Sequence, residues 1–229
     1  MSHLDIELQQ LKLEVIEMWS LVQLQLNKGN QALLALDKDL AREVVLNERR
    51  VNAYELKIDR DCENIFALFN PVAVDLRCVL AVLKINSNLE RIGDIAEGMA
   101  RFVIDVDDTF DKTLLDLTRV IEMYTEAISM LSDVLEAFDK EDTKLARGVF
   151  KKDEVLDVIN RNANTVISDY IRQNPDRIDQ SLYVLSIIRK LERVGDQTKN
   201  IAEEIIFYIE AKVLKHKKKL EKYGNLGTE

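Results

Sequence analysis

The hexapeptide LERIGD occupies residues 89–94, and LERVGD occupies residues 191–196, 102 positions later. Each hexapeptide places two carboxylates four residues apart in a segment with helical periodicity and puts a glycine between them. Like charges at this spacing repel each other on a helix, and glycine costs about 1 kcal/mol relative to alanine. A helix that carries both features twice therefore needs a reason other than its own stability.

Both hexapeptides lie on apolar seams that advance alternately by three and four residues. The first seam consists of Val82, Ile85, Leu89, Ile92, Ala96, Met99 and Val103, and the second consists of Val184, Ile187, Leu191, Val194, Thr198, Ile201 and Ile205, each 102 residues later. Seams of this kind predict long helices that pack against antiparallel neighbours in a bundle.

Matched landmarks divide the rest of the chain. The two Asn-Pro dipeptides, residues 70–71 and 174–175, each end one helix and begin the next, because proline suits the first turn of a helix but not its interior. Asp37 and Asp139 have the side chain expected of a helix N-cap. The polar segment DVDDTFD, residues 105–111, separates the two halves.

These landmarks predict an all-α fold with an internal duplication of a three-helix unit. The six helices are expected at about 2–36, 38–69, 71–106, 110–138, 140–173 and 176–218. The predicted domains are a first bundle at residues 1–107, a second at residues 108–218 and a polar tail at residues 219–229. Helices of about 30 residues make each bundle about 45 Å long, and we expect the two bundles to lie end to end.

The composition limits the possible functions. The chain has 229 residues, 47% of them hydrophobic and 32% charged, and a net charge of −9, which argues against nucleic-acid binding. Because it has no apolar run of membrane-spanning length and no N-terminal apolar segment, we expect a soluble cytoplasmic protein. Cys62 and Cys78 are expected to be buried free thiols. The basic run KVLKHKKKLEK, residues 212–222, could contact an anionic membrane, although a solvated helix end is the simpler interpretation.

The acids of the hexapeptides share one helical phase. At about 100° per residue, Glu90, Asp94 and Glu97 lie about 120° from the first seam, and Glu192 and Asp196 have the same phase in the second half. We therefore expect these acids on the solvated side of the bundle. One interpretation is an acidic surface whose repulsion is relieved by the arginine in each hexapeptide.

The preceding helix of each unit suggests a second interpretation, because it carries an acidic or amide pair with the same four-residue spacing. Helices two and three are antiparallel about their Asn-Pro turn, so this pair lies beside the hexapeptide acids. Oxygen ligands that converge from two helices are typical of divalent-cation sites. The predicted ligands are Glu48, Asn52, Glu90 and Asp94 in the first half and Asp153, Asp157, Glu192 and Asp196 in the second. Because Asn52 removes one charge, we expect tighter binding in the second half, with Gly93 and Gly195 beside the ligands.

Catalytic machinery is not visible in the sequence. A di-iron enzyme of the helical-bundle type needs Glu-x-x-His motifs from two helices, whereas the only histidines here are His3 and His216, near the termini. The sequence also lacks a glycine-rich phosphate loop, a serine nucleophile elbow and a Cys/His pair. An interaction module without catalytic activity is one class of function that the residues leave open. A carboxylate-bridged metalloenzyme and a metal-independent structural bundle are the two alternatives.

These residues resemble the PhoU family of bacterial phosphate-uptake regulators. The resemblance covers nearly the whole chain and is carried by the doubled hexapeptides, by GDIAEGMA and NIAEEI beside them, by ELKIDRDCENI with Asp59 and Cys62, and by PVAVDLR with Asp75 and Arg77. In the family, paired E/D-x-x-x-D motifs hold metal clusters on the bundle surface, and these motifs map onto the eight ligand positions given above. The chain departs from the family pattern at Asn52, where aspartate is usual, and at Gln197, where many members have histidine.

The resemblance implies a regulator that is cytoplasmic, non-enzymatic and homodimeric. It implies multinuclear metal sites that hold iron, zinc or another divalent cation. The implied partners are the ATPase subunit of a phosphate ABC transporter and a phosphate-sensing membrane histidine kinase. When phosphate is plentiful, such a regulator would restrain uptake and keep the phosphate-starvation response off.

Overall fold

The computed structural model describes residues 2–107 and 109–213, which form helices joined by short turns, with no strand among them. The helices are α1 (His3–Ala35), α2 (Lys38–Phe69), α3 (Ala73–Asp105), α4 (Lys112–Thr118), α5 (Val120–Lys140), α6 (Thr143–Gln173) and α7 (Ile178–Glu210), and a 3-10 turn at Pro175–Arg177 precedes α7. The first unit is α1–α3 and the second is α4–α7. The predicted all-α fold with a duplicated three-helix unit is confirmed. No helix within the described residues combines the length and apolar character that a bilayer crossing requires.

Aspartate caps fix the start of the second helix in each unit. Asp37 accepts hydrogen bonds from the backbone N–H groups of Asp39 and Leu40, at 3.1 and 2.9 Å, and begins α2 as predicted. The prediction for Asp139 is wrong, because Asp139 lies inside α5. The cap of α6 is Asp142, which follows a left-handed residue at Glu141. The Asp142 carboxylate accepts hydrogen bonds from the backbone N–H groups of Lys144 and Leu145. Two aspartates within four residues offered alternative caps, and the left-handed turn selects the later one.

The predicted fourth helix is interrupted. Arg119 adopts a left-handed conformation with φ 55° and separates α4 from α5. Its guanidinium donates to both carboxylate oxygens of Glu122, at 2.7 and 2.5 Å, which stabilises a turn that no glycine or proline marks. The last helix also differs from its prediction: it ends at Glu210, residues 211–213 are not helical, and the remainder of the predicted helix lies outside the described residues, as does most of the basic run at residues 212–222.

All fourteen seam side chains are buried, with at most 2% of their surface exposed, which confirms the predicted packing faces. The third helix of each unit also has a second buried stripe, which includes Ile95 and Ala100 on α3 and Ile188, Ala202 and Ile206 on α7. Through these stripes α3 packs along α7, and a single continuous core joins the two units. The expected end-to-end placement is therefore wrong, because the seam covers only one of the two apolar faces of these helices.

The contact between α3 and α7 is antiparallel. Lys84 pairs with Glu204 at 2.9 Å near one end, and the rings of Phe102 and Tyr183 lie 5.4 Å apart near the other. This register brings the two hexapeptides opposite each other near the middle of the contact.

A second joint links α1 to α5. Trp19 is fully buried there, donates its Nε1–H to the carbonyl oxygen of Leu131 at 3.2 Å, and packs against Phe138 with ring centroids 5.9 Å apart.

Both cysteines are buried free thiols, as predicted. Burial, followed by the nearby Asp59 carboxylate, raises the pKa of Cys62 to about 12, so this thiol is not a nucleophile at neutral pH.

Candidate functional site

Each hexapeptide glycine lies directly against the acid of the preceding helix. A Cβ atom at Gly93 would be 2.9 Å from Glu48 Oε2 and 3.1 Å from Val51 Cγ1. A Cβ atom at Gly195 would be 2.9 Å from Asp153 Oδ1 and 2.7 Å from Leu156 Cδ2. These separations are too short for ordinary packing. The glycines therefore let α2 and α6 bring a carboxylate between the helices, which explains why a helix-destabilising residue occurs at both positions.

In the first half, Glu48 is a buried acid with an incomplete set of partners. Only 5% of its surface is exposed. Gln25 on α1 donates from Nε2 to Glu48 Oε2 at 3.0 Å and to the Val44 carbonyl oxygen at 3.3 Å. The other carboxylate oxygen, Glu48 Oε1, and Gln25 Oε1 are buried without a hydrogen-bond partner. Buried oxygens without a donor are energetically costly and mark a place where a cation or a proton would be stabilised.

The pKa of Glu48 reflects this environment. Burial raises the pKa to about 7, the Gln25 hydrogen bond opposes the shift, and the carboxylates of Asp94, Glu97 and Glu90 raise it further. The pKa of Glu48 in the folded protein is about 7, above the ordinary glutamate value of 4.5. The free energy of unfolding therefore falls as the pH rises from about 4.5 through 7, because the folded protein gives up the Glu48 proton less readily than the unfolded chain does.

The remaining predicted ligands of the first half have different degrees of exposure. Glu90 is half-buried, and its pKa is raised by burial and then by Asp94; the side chains of Asp94 and Asn52 are exposed. None of these three side chains forms an ion pair with another described residue. The structure therefore brings Glu48, Glu90 and Asp94 into one electrostatically coupled group, whereas Asn52 lies towards solvent one helical turn from Glu48.

The acids of the second half already have a cation. Asp153 is buried, with 6% of its surface exposed, and Lys199 Nζ lies 2.5 Å from Asp153 Oδ2 and 2.8 Å from Asp196 Oδ1. Burial alone would lower the pKa of Lys199, but its hydrogen bonds to the two aspartates raise it above the usual lysine value. The ammonium thus links α6 to α7. Asp157 and Glu192 are half-buried and form no ion pair within the described residues.

The two sites are related by the duplication, as the family comparison also shows. A family model described as the PhoU domain matches residues 15–103 and again residues 120–205, which span the hexapeptides and most of both units. The chain belongs to the PhoU family. Each match covers most of one unit, so the duplicated sites lie at corresponding positions of two PhoU domains.

Relatives of this PhoU family member match over nearly its full length. The phosphate-specific transport system accessory protein PhoU of Edwardsiella tarda is 33% identical over 210 residues, covering 92% of this chain and 86% of that protein. The crystal structure of PhoU from Pseudomonas aeruginosa has a TM-score of 0.85 at 30% identity and covers 91% of this chain and 99% of that one. The phosphate transport system regulatory protein PhoU from Streptococcus pneumoniae has a TM-score of 0.80 at 27% identity, covering 93% and 99% of the two chains.

Two important residues escaped the sequence prediction, and the comparison of the two PhoU domains shows what would have revealed them. Gln25 interrupts an apolar stripe on α1, and Met130, 105 residues later, contacts Gly195 from the corresponding side at 3.8 Å from its Cβ position. Lys199 stands 102 residues after Glu97, so the charge at this position is reversed between the domains. Both signals become visible only when the halves are aligned residue by residue.

The predicted metal ligands do not form a complete binding site as they stand. Among residues 2–107 and 109–213, no three His, Cys, Asp or Glu side chains form a group that could hold a metal ion. Metal binding at the eight predicted positions therefore stays a prediction.

The arginines of both hexapeptides lie in a cleft between α3 and α7, away from the buried acids Glu48 and Asp153. Arg91 and Arg193 line one shared cleft of about 290 Å³ between α3 and α7, together with Lys190, Asp94 and Glu97. Arg91 lowers the pKa of Glu90, although less than burial and Asp94 raise it. Arg91 thus relieves the acidic repulsion only in part, and the buried Glu48 forms no ion pair with any lysine or arginine that the structure describes.

The packing of the glycines gives a direct prediction. We expect Gly93→Ala and Gly195→Ala to lower the melting temperature, because overpacking costs about 1–3 kcal/mol and exceeds the helix propensity gained from alanine. Gly148→Ala is the matched control: Gly148 is exposed on α6, no atom lies within 4 Å of its added Cβ, and the substitution should raise the melting temperature. Thermal melts followed by circular dichroism make the measurement. Stabilisation by all three substitutions would contradict the close approach.

Proposed function

We propose that this chain is an accessory protein of phosphate transport that acts through contacts with other proteins. The observation that supports this proposal is the match over both PhoU domains to proteins named phosphate-specific transport system accessory protein PhoU, which covers 92% of the chain.

In this proposal the protein works in the cytoplasm as a homodimer. It restrains a phosphate ABC transporter through the ATPase subunit and keeps the response of a phosphate-sensing membrane histidine kinase off when phosphate is plentiful. The protein has no catalytic step of its own.

The position of the described histidine favours this proposal over a di-iron enzyme. His3 stacks on Phe69 with ring centroids 5.3 Å apart, at the start of α1 and the end of α2. Gln25, the α1 residue that contacts Glu48, follows 22 positions later, which corresponds to about 33 Å along a helix. His216 lies outside the described residues.

Removing the gene tests the regulatory role. We expect a deletion strain to express phosphate-starvation genes in phosphate-rich medium or to accumulate excess phosphate, and we expect a plasmid copy of the gene to restore the parental state. Transcript levels and total cell phosphate are the measurements. A deletion strain that matches its parent in both rich and starved medium would show that this chain does not regulate phosphate uptake.

We also propose that the first-half acids bind a divalent cation. Glu48 Oε1 is a buried acceptor without a partner, and Asp94 and Glu90 are close enough to raise the pKa of the Glu48 carboxyl. Both features fit a cation held by Glu48, Glu90 and Asp94, with Asn52 as a neutral oxygen donor. A bound cation would supply positive charge that neutralises the acids and links α2 to α3. Oxygen donors suit Mg²⁺, Ca²⁺ and Mn²⁺ and also accept iron or zinc.

Mn²⁺ and the variant Glu48→Gln test this part of the proposal. We expect Mn²⁺ to raise the melting temperature of chelator-treated parent protein, with a stabilisation of about 2.7 kcal/mol at a hundredfold excess over Kd. Glu48→Gln should be more stable than the parent in chelator at mildly alkaline pH, where Glu48 is ionised, and this gain should vanish at mildly acidic pH, where Glu48 is protonated.

The response to Mn²⁺ distinguishes the buried acid from the general surface charge. Glu48→Gln should lose most of the Mn²⁺ response, whereas Glu63→Gln, which removes an exposed acid from the same helix, should keep it. An unchanged melting temperature of the parent in Mn²⁺, or an equal response of Glu48→Gln, would mean that the first-half acids do not bind a cation.

A further inference from the structure

The second-half acids do not fit a metal ion in the same way as the first-half acids. We propose that the Lys199 ammonium occupies the cation position of the second half, so that this chain binds its divalent cation only in the first half. This inference rests on the metal binding proposed above for the first half, and it reverses the order expected from Asn52. The chain would therefore carry one exchangeable cation site and one site with a covalently tethered cation.

The geometry of Lys199 is that of a bridging cation. Its Nζ lies 2.5 Å from Asp153 on α6 and 2.8 Å from Asp196 on α7, so one positive charge links carboxylates from two helices. The Asp153 side chain is 8% exposed and that of Lys199 is 24% exposed, so this charge pair is largely shielded from water. Charge-assisted hydrogen bonds are about twice as strong as those between neutral groups, and an ammonium has three donors for such contacts.

A free metal ion competes poorly with this arrangement. Lys199 is part of the same helix as Asp196, so its ammonium is present at a high effective concentration beside the acids. A divalent ion would have to displace the ammonium, and the displaced charge would need a new solvent-exposed position. Mutual attraction between a partly buried lysine and two aspartates opposes that change.

The first half lacks the bridging lysine of this arrangement. The residue that corresponds to Lys199 is Glu97, and it pairs with Arg101 on its own helix at 2.5 Å. Among the described residues, no lysine or arginine forms an ion pair with Glu48, Glu90 or Asp94. In the second half, Met130 replaces the amide of Gln25, so Asp153 depends on Lys199 for its strong hydrogen bond. The two domains have thus diverged at both positions that decide how the buried acid is neutralised.

Mn²⁺ binding to full-length variants tests the inference. Chelator-treated protein is titrated with Mn²⁺, and free Mn²⁺ is measured by electron paramagnetic resonance. We expect one class of tight sites in the parent, and we expect Glu48→Gln to abolish it. Adding Lys199→Met to Glu48→Gln should restore binding at the second-half acids, whereas adding Lys199→Arg, which keeps the positive charge, should not. Further addition of Asp153→Asn to the Glu48→Gln, Lys199→Met protein should weaken the restored binding by about tenfold or more.

A thermal melt supplies an independent readout. In the Glu48→Gln background, where the first-half site is absent, Lys199→Met removes the partner of a buried carboxylate, so the melting temperature in chelator should fall below that of Glu48→Gln alone and should recover when Mn²⁺ is added. Circular dichroism checks that the variant is folded, and Lys199→Gln, which has a polar side chain, is the second variant if Lys199→Met does not fold.

The outcomes separate this inference from the proposed first-half site. Tight Mn²⁺ binding by Glu48→Gln with Lys199 in place would overturn the inference, as would failure of both uncharged Lys199 variants to gain binding. If the parent binds no Mn²⁺ but Lys199→Met does, the first-half proposal fails and the role of Lys199 stands. If the parent binds in the first half and Lys199→Met gains nothing, the first-half proposal stands and the role assigned to Lys199 is wrong.

Discussion

A carboxylate buried between two helices, against a glycine of the third helix, is the constraint on which the rest of the site depends. Glu48 and Asp153 occupy this position in the two PhoU domains, and Gly93 and Gly195 provide the space. A buried carboxylate is not solvated by bulk water, so each domain must supply a hydrogen-bond donor or a positive charge to stabilise it. The first domain supplies the Gln25 amide and leaves one carboxylate oxygen unsatisfied. The second supplies the Lys199 ammonium. The doubled hexapeptide is therefore one framework with two ways of neutralising an acid.

Much of the fold could be predicted from the sequence because its signals are local. Apolar periodicity identified the two buried seams, and Asp37 and the Asn-Pro turns identified the ends of helices. The cap at Asp142 and the break at Arg119 were missed because each depends on a single left-handed residue, Glu141 or Arg119, of a type that does not usually adopt that conformation. The packing of α3 along α7 was missed because it uses a second apolar stripe on each helix. The prediction rested on one seam per helix, and a seam on one face gives no information about which helix packs against another face.

The candidate site was predictable to a similar extent. Helical phase and antiparallel register selected the acids of helices two and three, but they give no information about the first helix, which contributes Gln25. Helical phase assigns a charged side chain to one face of its helix, but it does not show whether the side chain extends to a neighbouring helix. Lys199 on α7 does so, because it pairs with Asp153 on α6. The charge reversal between Glu97 and Lys199 is the sequence difference that separates the two domains. The two PhoU domains share equivalent positions but differ in the electrostatic environment of the buried acid.

The central claim is that the buried acid of the first domain takes an external cation while that of the second is neutralised by the chain itself. Anomalous X-ray diffraction from crystals grown with Mn²⁺ tests this claim most directly, because it locates the ion without relying on a change in stability. The account predicts an anomalous peak within bonding distance of the Glu48 carboxylate and none beside Asp153, with Lys199 still bridging Asp153 and Asp196. A peak beside Asp153 with Lys199 displaced, or the absence of a peak at Glu48, would contradict it.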